Sequence, residues 1–185
     1  MKKTLKLALM ALFVLPAMVF TACSDDENGD LDKNQVALFK DWSGLLGEKA
    51  DKVINKVGVD PYEEQYDGDN LEAQLFEVNA NNVDVVVAQY TDADGILFDK
   101  CVIVDSYLAD NITATAATNY LTSIYHHDEV DEDGWYWYSY KDMTIIYFPE
   151  DNDVMYLDNK KIQDTKSGNL KEAVKAIKAK RNIVR

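Results

Sequence analysis

Ala50, Val53, Ile54 and Val57 recur at three- and four-residue intervals, which places them on one face of a helix ending at Gly58. Gly58 suits the left-handed position after a helix, and Pro61 follows where no helix could continue. Upstream, Val36, Leu38, Phe39 and Trp42 form an apolar cluster that reads as a short helix or packed arm. Ala117, Leu121 and Ile124, with Ala114 and Tyr120 beside them, predict a second helix over 113–125. Its Thr115, Thr118 and Thr122 are β-branched, so packing rather than propensity must hold it. Leu170, Ala173, Val174 and Ile177 line a third helix over 169–181, opened by Asn169 with Glu172 at capping-box spacing.

Between these helices the apolar rhythm shortens and the residues become β-branched and aromatic. Strands are predicted over 72–78, 83–91, 96–107, 135–140, 143–148 and 153–158. Asp92-Ala93-Asp94-Gly95 is the turn between the second and third. Neighbouring strands lack the long crossovers that parallel pairing needs, so pairing is antiparallel. The expected fold class is α+β, an antiparallel sheet of about six strands with two to three helices against it. The order is α-β-β-β-α-β-β-β-α, in which 48–107 and 114–158 form a loose repeat.

Composition narrows the function. The 185 residues carry 19 Lys plus Arg and 33 Asp plus Glu, a net charge of −14, which argues against a nucleic-acid partner. With 47% hydrophobic residues the chain is not of disordered composition. Charge is uneven: from Lys160 onward there are nine basic and two acidic residues. The last helix, with Lys171, Lys175 and Lys178 on its polar face, is expected to lie on an acidic body.

The N-terminus carries processing information. Lys2, Lys3 and Lys6 precede an uncharged, mostly apolar stretch over 7–20, too short and wrongly flanked for a spanning helix. It ends in Val19-Phe20-Thr21-Ala22-Cys23, which resembles the lipobox of bacterial lipoproteins, with Phe20 in place of the usual leucine. The resemblance implies that 1–22 is a signal peptide and that Cys23 becomes an acylated N-terminus. Cleavage would remove three lysines and no carboxylate, deepening the negative charge by three. Durable anchoring needs the two or three chains such a cysteine bears. Residues 23–34 then form the lipidated cysteine and an acidic tether. The run Ser24-Asp25-Asp26-Glu27-Asn28-Gly29-Asp30 resembles the export signal of surface-displayed Bacteroidota lipoproteins. This implies an outer-membrane location facing the exterior, the periplasmic inner leaflet being the alternative. Residues 35–185 are left as one globular α+β domain. With Cys23 acylated, Cys101 is the only remaining thiol and is expected to be buried and inert.

Leu46-Gly47, Val53-Ile54, Gly58 and Pro61 form a glycine–helix–glycine–proline entry. It resembles that of small outer-membrane-assembly lipoproteins and of the beta-lactamase-inhibitor-like fold. The resemblance implies a short helix feeding an antiparallel sheet and assigns no functional residue.

Three groups of residues could carry function. Trp135-Tyr136-Trp137-Tyr138-Ser139-Tyr140 alternates, and the larger tryptophans are expected inward. Tyr136, Tyr138 and Tyr140 then form an outward face for a glycan or an envelope protein. His126 and His127 are either a surface polar pair or part of a transition-metal site with Asp128 or Glu129. Glu129, Asp131 and Asp133, followed by Gly134, imitate the first half of a calcium loop, but its twelfth position is Tyr140 rather than a bidentate glutamate. They read as solvated acidic turns or a weak calcium site. With no nucleophile motif, the expected function is a non-catalytic cell-envelope lipoprotein, a surface-displayed binding module. The alternatives are a structural or inhibitor-like subunit of an envelope complex and, less favoured, a glycan hydrolase. No cofactor beyond the covalent lipid is expected.

Overall fold

Alternation along the strands gives this chain a sheet with two apolar faces. Ile145 and Tyr147 of one strand enter one cluster, whereas Ile146 and Phe148, which alternate with them, enter another. The structure is a computed structural model and describes residues 37–162 and 170–181, the side chains of Lys180 and Arg181 excepted. The predicted signal segment, Cys23, the acidic tether, Val36 and Asn169 lie outside these residues.

Helix α1 spans Ala50–Val57 and is followed by strands β1 (Glu63–Asp67), β2 (Asn70–Ala80), β3 (Val83–Gln89) and β4 (Ile103–Leu108). Helix α2 (Ala114–Ile124) is followed by β5 (His126–Val130), β6 (Tyr136–Tyr140), β7 (Met143–Phe148) and β8 (Asp153–Asp158). A short α3 (Asn159–Ile162) and α4 (Leu170–Arg181) complete the described elements. The strands form one antiparallel sheet in the order β1-β2-β3-β4-β8-β7-β6-β5. The fold is therefore α+β with an antiparallel sheet packed against several helices, as expected, but the sheet has eight strands rather than six.

Both unforeseen strands are edges. β1 is exposed apart from half-buried Gln65, and every residue of β5 is exposed. The predicted strand over 96–107 is also corrected, since only 103–108 joins the ladder. The Asp92 carboxylate folds 92–96 into a tight turn by accepting from the backbone N–H groups of Asp94 and Ile96. Cys101 then pairs its backbone with Gly47 and Glu48 instead of a strand.

Gly58 has φ +86° and its N–H reaches the Ile54 carbonyl, closing α1 as the sequence indicates. Thr113 caps α2 by accepting from the Ala116 N–H at 3.3 Å. Asn81 and Asn82, with φ of +55° and +58°, make the two-residue turn between β2 and β3. That turn also holds the N-terminal arm: Asn82 Nδ2 donates to the Leu38 carbonyl at 2.7 Å.

Strand order and register reveal a pseudo-two-fold axis. Each half is one helix followed by four antiparallel strands, and the last strands, β4 and β8, pair at the centre. Ile103 faces Leu157 and Tyr107 faces Asp153, at equal offsets from the central pair Asp105–Met155. α1, α2 and the arm residues Phe39, Trp42 and Leu45 all pack on one face of the sheet. α4 packs on the opposite face, over Ile146, Phe148, Met155 and Leu157 of the second half. It has no counterpart over the first half among the described residues. Among the described residues no helix is long and apolar enough to cross a membrane.

Candidate functional site

The aromatic strand does not present an outward tyrosine face. Its tyrosines point toward the helical layer: Tyr138 is fully buried, and Tyr136 and Tyr140 are half-buried against the same cluster. The Tyr138 hydroxyl reaches toward the Thr118 carbonyl of α2 at 3.5 Å. Trp137 is buried on the other face, and half-buried Trp135 packs edge-on against Phe148 at 4.9 Å. The expectation of an exposed set is corrected because helices cover both faces of β6, α2 on one and α4 on the other.

The acidic stretch after α2 is engaged by protein groups. Glu129 pairs with Lys171 at 2.9 Å and Asp133 with Lys175 at 3.0 Å. Asp131 accepts at one oxygen from the N–H groups of Asp133 and Trp135, and at the other from Trp137 Nε1. These carboxylates hold the last turn before β6 and seat α4 on the sheet. The histidines lie on edge strand β5, directly after α2. His126 Nε2 lies 3.7 Å from Asp128 Oδ1, while the His127 ring packs against Tyr138 at 5.3 Å. Among the described residues no three His, Cys, Asp or Glu side chains gather in a metal-holding group. Cys101 is buried, its Sγ donates to the Ile103 carbonyl, and burial pushes its thiol up to about 12.

The structure opens a different place. On the face that carries α4, no helix among the described residues covers strands β1 to β3 or the Tyr107 end of β4, leaving a groove of about 600 Å³ with Ile177 of α4 as one wall. Ala73, Leu75, Val85 and Val87 contribute apolar lining, with Tyr62 and Tyr107 beside them. Gln65 and Gln89 are its amides, and Gln89 Nε2 donates to buried Asp105 at 2.7 Å. Carboxylates stand at both ends of the strands: Glu72 and Asp92 at one, Asp84, Asp110 and Asp151 at the other. No Lys, Arg or His lines the groove among the described residues. Burial, with Glu63 and Glu77 nearby, raises the Tyr62 hydroxyl above its ordinary value.

No family model, curated protein or solved structure matches the chain. An apolar strip bounded by tyrosines, amides and carboxylates can bury hydrocarbon and receive cations at its ends. The sequence signal for it was the second apolar face of β3, Val85 and Val87, which has no purpose unless something covers it.

Proposed function

We propose that this chain is a non-catalytic, lipid-tethered binding module of the bacterial cell envelope, held on the outer membrane by acylated Cys23 and facing the exterior. The open half of the sheet is its ligand face. The observation that carries this reading is an apolar, acid-ended groove on a rigid sheet whose other half, on the same face, is closed by α4. Sites placed on paired strands hold their geometry better than sites on loops. The lipobox-like residues before Cys23 and the acidic run after it support the tether.

Two measurements test the reading. Intact mass of detergent-extracted protein should show loss of 1–22 with addition of lipid, and Cys23→Ala should abolish membrane partitioning. A photo-reactive side chain at Gln65 or Val85 should give discrete heavier adducts in intact envelopes, whereas one at exposed Lys52 on α1 should not. Equal labelling from the groove and from Lys52 would remove the groove as the ligand face.

A further inference from the structure

We infer that the occupant of the open half-sheet is a lysine-bearing amphipathic helix of a protein partner, seated as α4 seats on the other half. This rests on the reading of that face as the ligand face and deepens it.

α4 shows how a helix is held on this sheet. Ala173, Val174 and Ile177 bury themselves in the cluster of Ile146, Phe148 and Met155. Lys171, Lys175 and Lys178 then reach Glu129, Asp133 and Asp151, at 2.9, 3.0 and 2.8 Å. The pattern is an apolar stripe flanked by cations that meet carboxylates at the rim.

The pseudo-two-fold axis places equivalent positions on the open half. Val87 lies opposite Asp105 as Ile146 lies opposite Met155, and Leu75 lies opposite Val87 as Trp137 lies opposite Ile146. On the edge, Glu63 lies opposite Leu75 as Glu129 lies opposite Trp137. The open half thus repeats the floor in part, Val87 and Leu75 standing where Ile146 and Trp137 stand but Gln89 and Asp105 where Phe148 and Met155 stand, with a glutamate on the edge strand at the position that holds Lys171 in the covered half. At the other end Asp84 and Asp110 line the groove. Among the described residues Glu63, Asp84 and Asp110 have no cationic partner, so the rim carries charge that an incoming lysine would neutralise.

Dimensions agree. The seven residues of β3 run about 23 Å, enough for roughly four helical turns lying along the strand. The floor differs from the covered half in being smaller and more polar, Val for Ile, Leu for Trp, Gln89 for Phe148 and Asp105 for Met155. It has less apolar area to bury, so a helix bound there exchanges where α4, joined through the chain, stays. A second copy of this acidic chain is a poor occupant because its net charge of −14 repels itself.

The test uses the full chain, a synthetic blocked peptide of sequence 170–181 as probe, and a random-peptide display library. The peptide should bind, gain helicity, and lose at least about tenfold in affinity when its Lys171, Lys175 and Lys178 equivalents become Glu. Val87→Arg in the full chain should produce a similar loss. Because that change disturbs a half-buried strand, Asp84→Lys with Asp110→Lys provides a surface variant that should also weaken binding. Library selections should converge on lysines spaced three or four apart beside an apolar stripe. Selected ligands that are extended, sugar-like or uncharged yet still blocked by Val87→Arg would overturn the helix and leave the ligand face standing. Absence of any binder sensitive to these groove variants would overturn both. Exchange of 170–181 between copies, seen as a dimer, would overturn the partner.

Discussion

Asp105 and Met155 face each other across the two central strands, a carboxylate and a thioether at the point where the halves of the sheet meet. Both are fully buried. Met155 lies in the cluster beneath α4, whereas Asp105 accepts from Gln89, a residue of the open groove. The cluster beneath α4 also takes in Ile103 of β4, so polarity changes within two residues along β4, from Ile103 to Asp105.

Tyr138 should behave as a core residue. Tyr138→Ala is expected to cost about 3–5 kcal/mol by chemical denaturation, in the range of a buried aromatic truncation. Tyr138→Phe should cost about 1 kcal/mol, since the 3.5 Å approach to the Thr118 carbonyl and the hydrogen bond with the Thr122 side chain are lost. A cost near zero for the alanine variant would return this strand to the surface.

Lys178 should matter more than the other lysines of α4. Its ammonium sits 3.9 Å above the Phe148 ring and 2.8 Å from Asp151, with 15% of its side chain exposed. Lys178→Ala is expected to destabilise by about 1–2 kcal/mol through lost cation–π and ionic contact. Lys171→Ala and Lys175→Ala should change the denaturation midpoint little, because those pairs are open to water.

Calcium should shift the melting temperature by less than about 2 °C at millimolar concentration. Glu129 and Asp133 would have to release Lys171 and Lys175, and Asp131 would have to give up its hydrogen bonds to the turn. A larger, saturable shift that Asp131→Asn with Asp133→Asn removes would show that a site forms there.

Alkaline pH should destabilise the fold, with Cys101 a contributor. Its thiol is raised from an ordinary 9.0 to about 12, so the native state keeps a proton that the unfolded chain releases. This contribution is complete below pH 9 and is lost as pH rises toward 12. Tyr147, pushed by burial and by Asp153 to about 12, acts in the same direction above its ordinary 10.0. Denaturation midpoints measured from pH 9 to 11 should fall less steeply for Cys101→Ala than for the wild type. Equal slopes would mean that the thiol titrates normally.

What the sequence disclosed follows from what its residues bury. Ile145 through Phe148, apolar on both faces, marked β7 plainly, and Ala117 with Leu121 marked α2. β1 and β5 escaped because Glu63, Glu64 and Asp67, or His126 through Glu129, have no face to hide and no alternation to show. Charged edge strands stop a sheet from pairing further, and the same property erases their signal. Tyr138 misled for a related reason: alternation separates two faces but does not say which of them a helix covers. Val85 and Val87 hinted at a second apolar face, but the place of the groove was illegible because it is created by the reach of α4. A twelve-residue helix about 10 Å wide cannot cover eight strands spaced about 4.8 Å apart, and only the strand order shows which half the described helices leave open.

The central pairing also sets a problem of timing. β4 is fully buried at 103–106, yet the partner that completes it, β8, lies about 50 residues later in the chain. At a synthesis rate of about 5–20 residues per second, several seconds pass before the second strand exists. Through that interval the first half has a hydrophobic strand with one row of backbone donors and acceptors unfilled, the form most open to pairing with a neighbouring chain. Safe maturation therefore depends on keeping nascent chains apart, by a holding chaperone or by delivery in an unfolded state, until the last strand closes the gap.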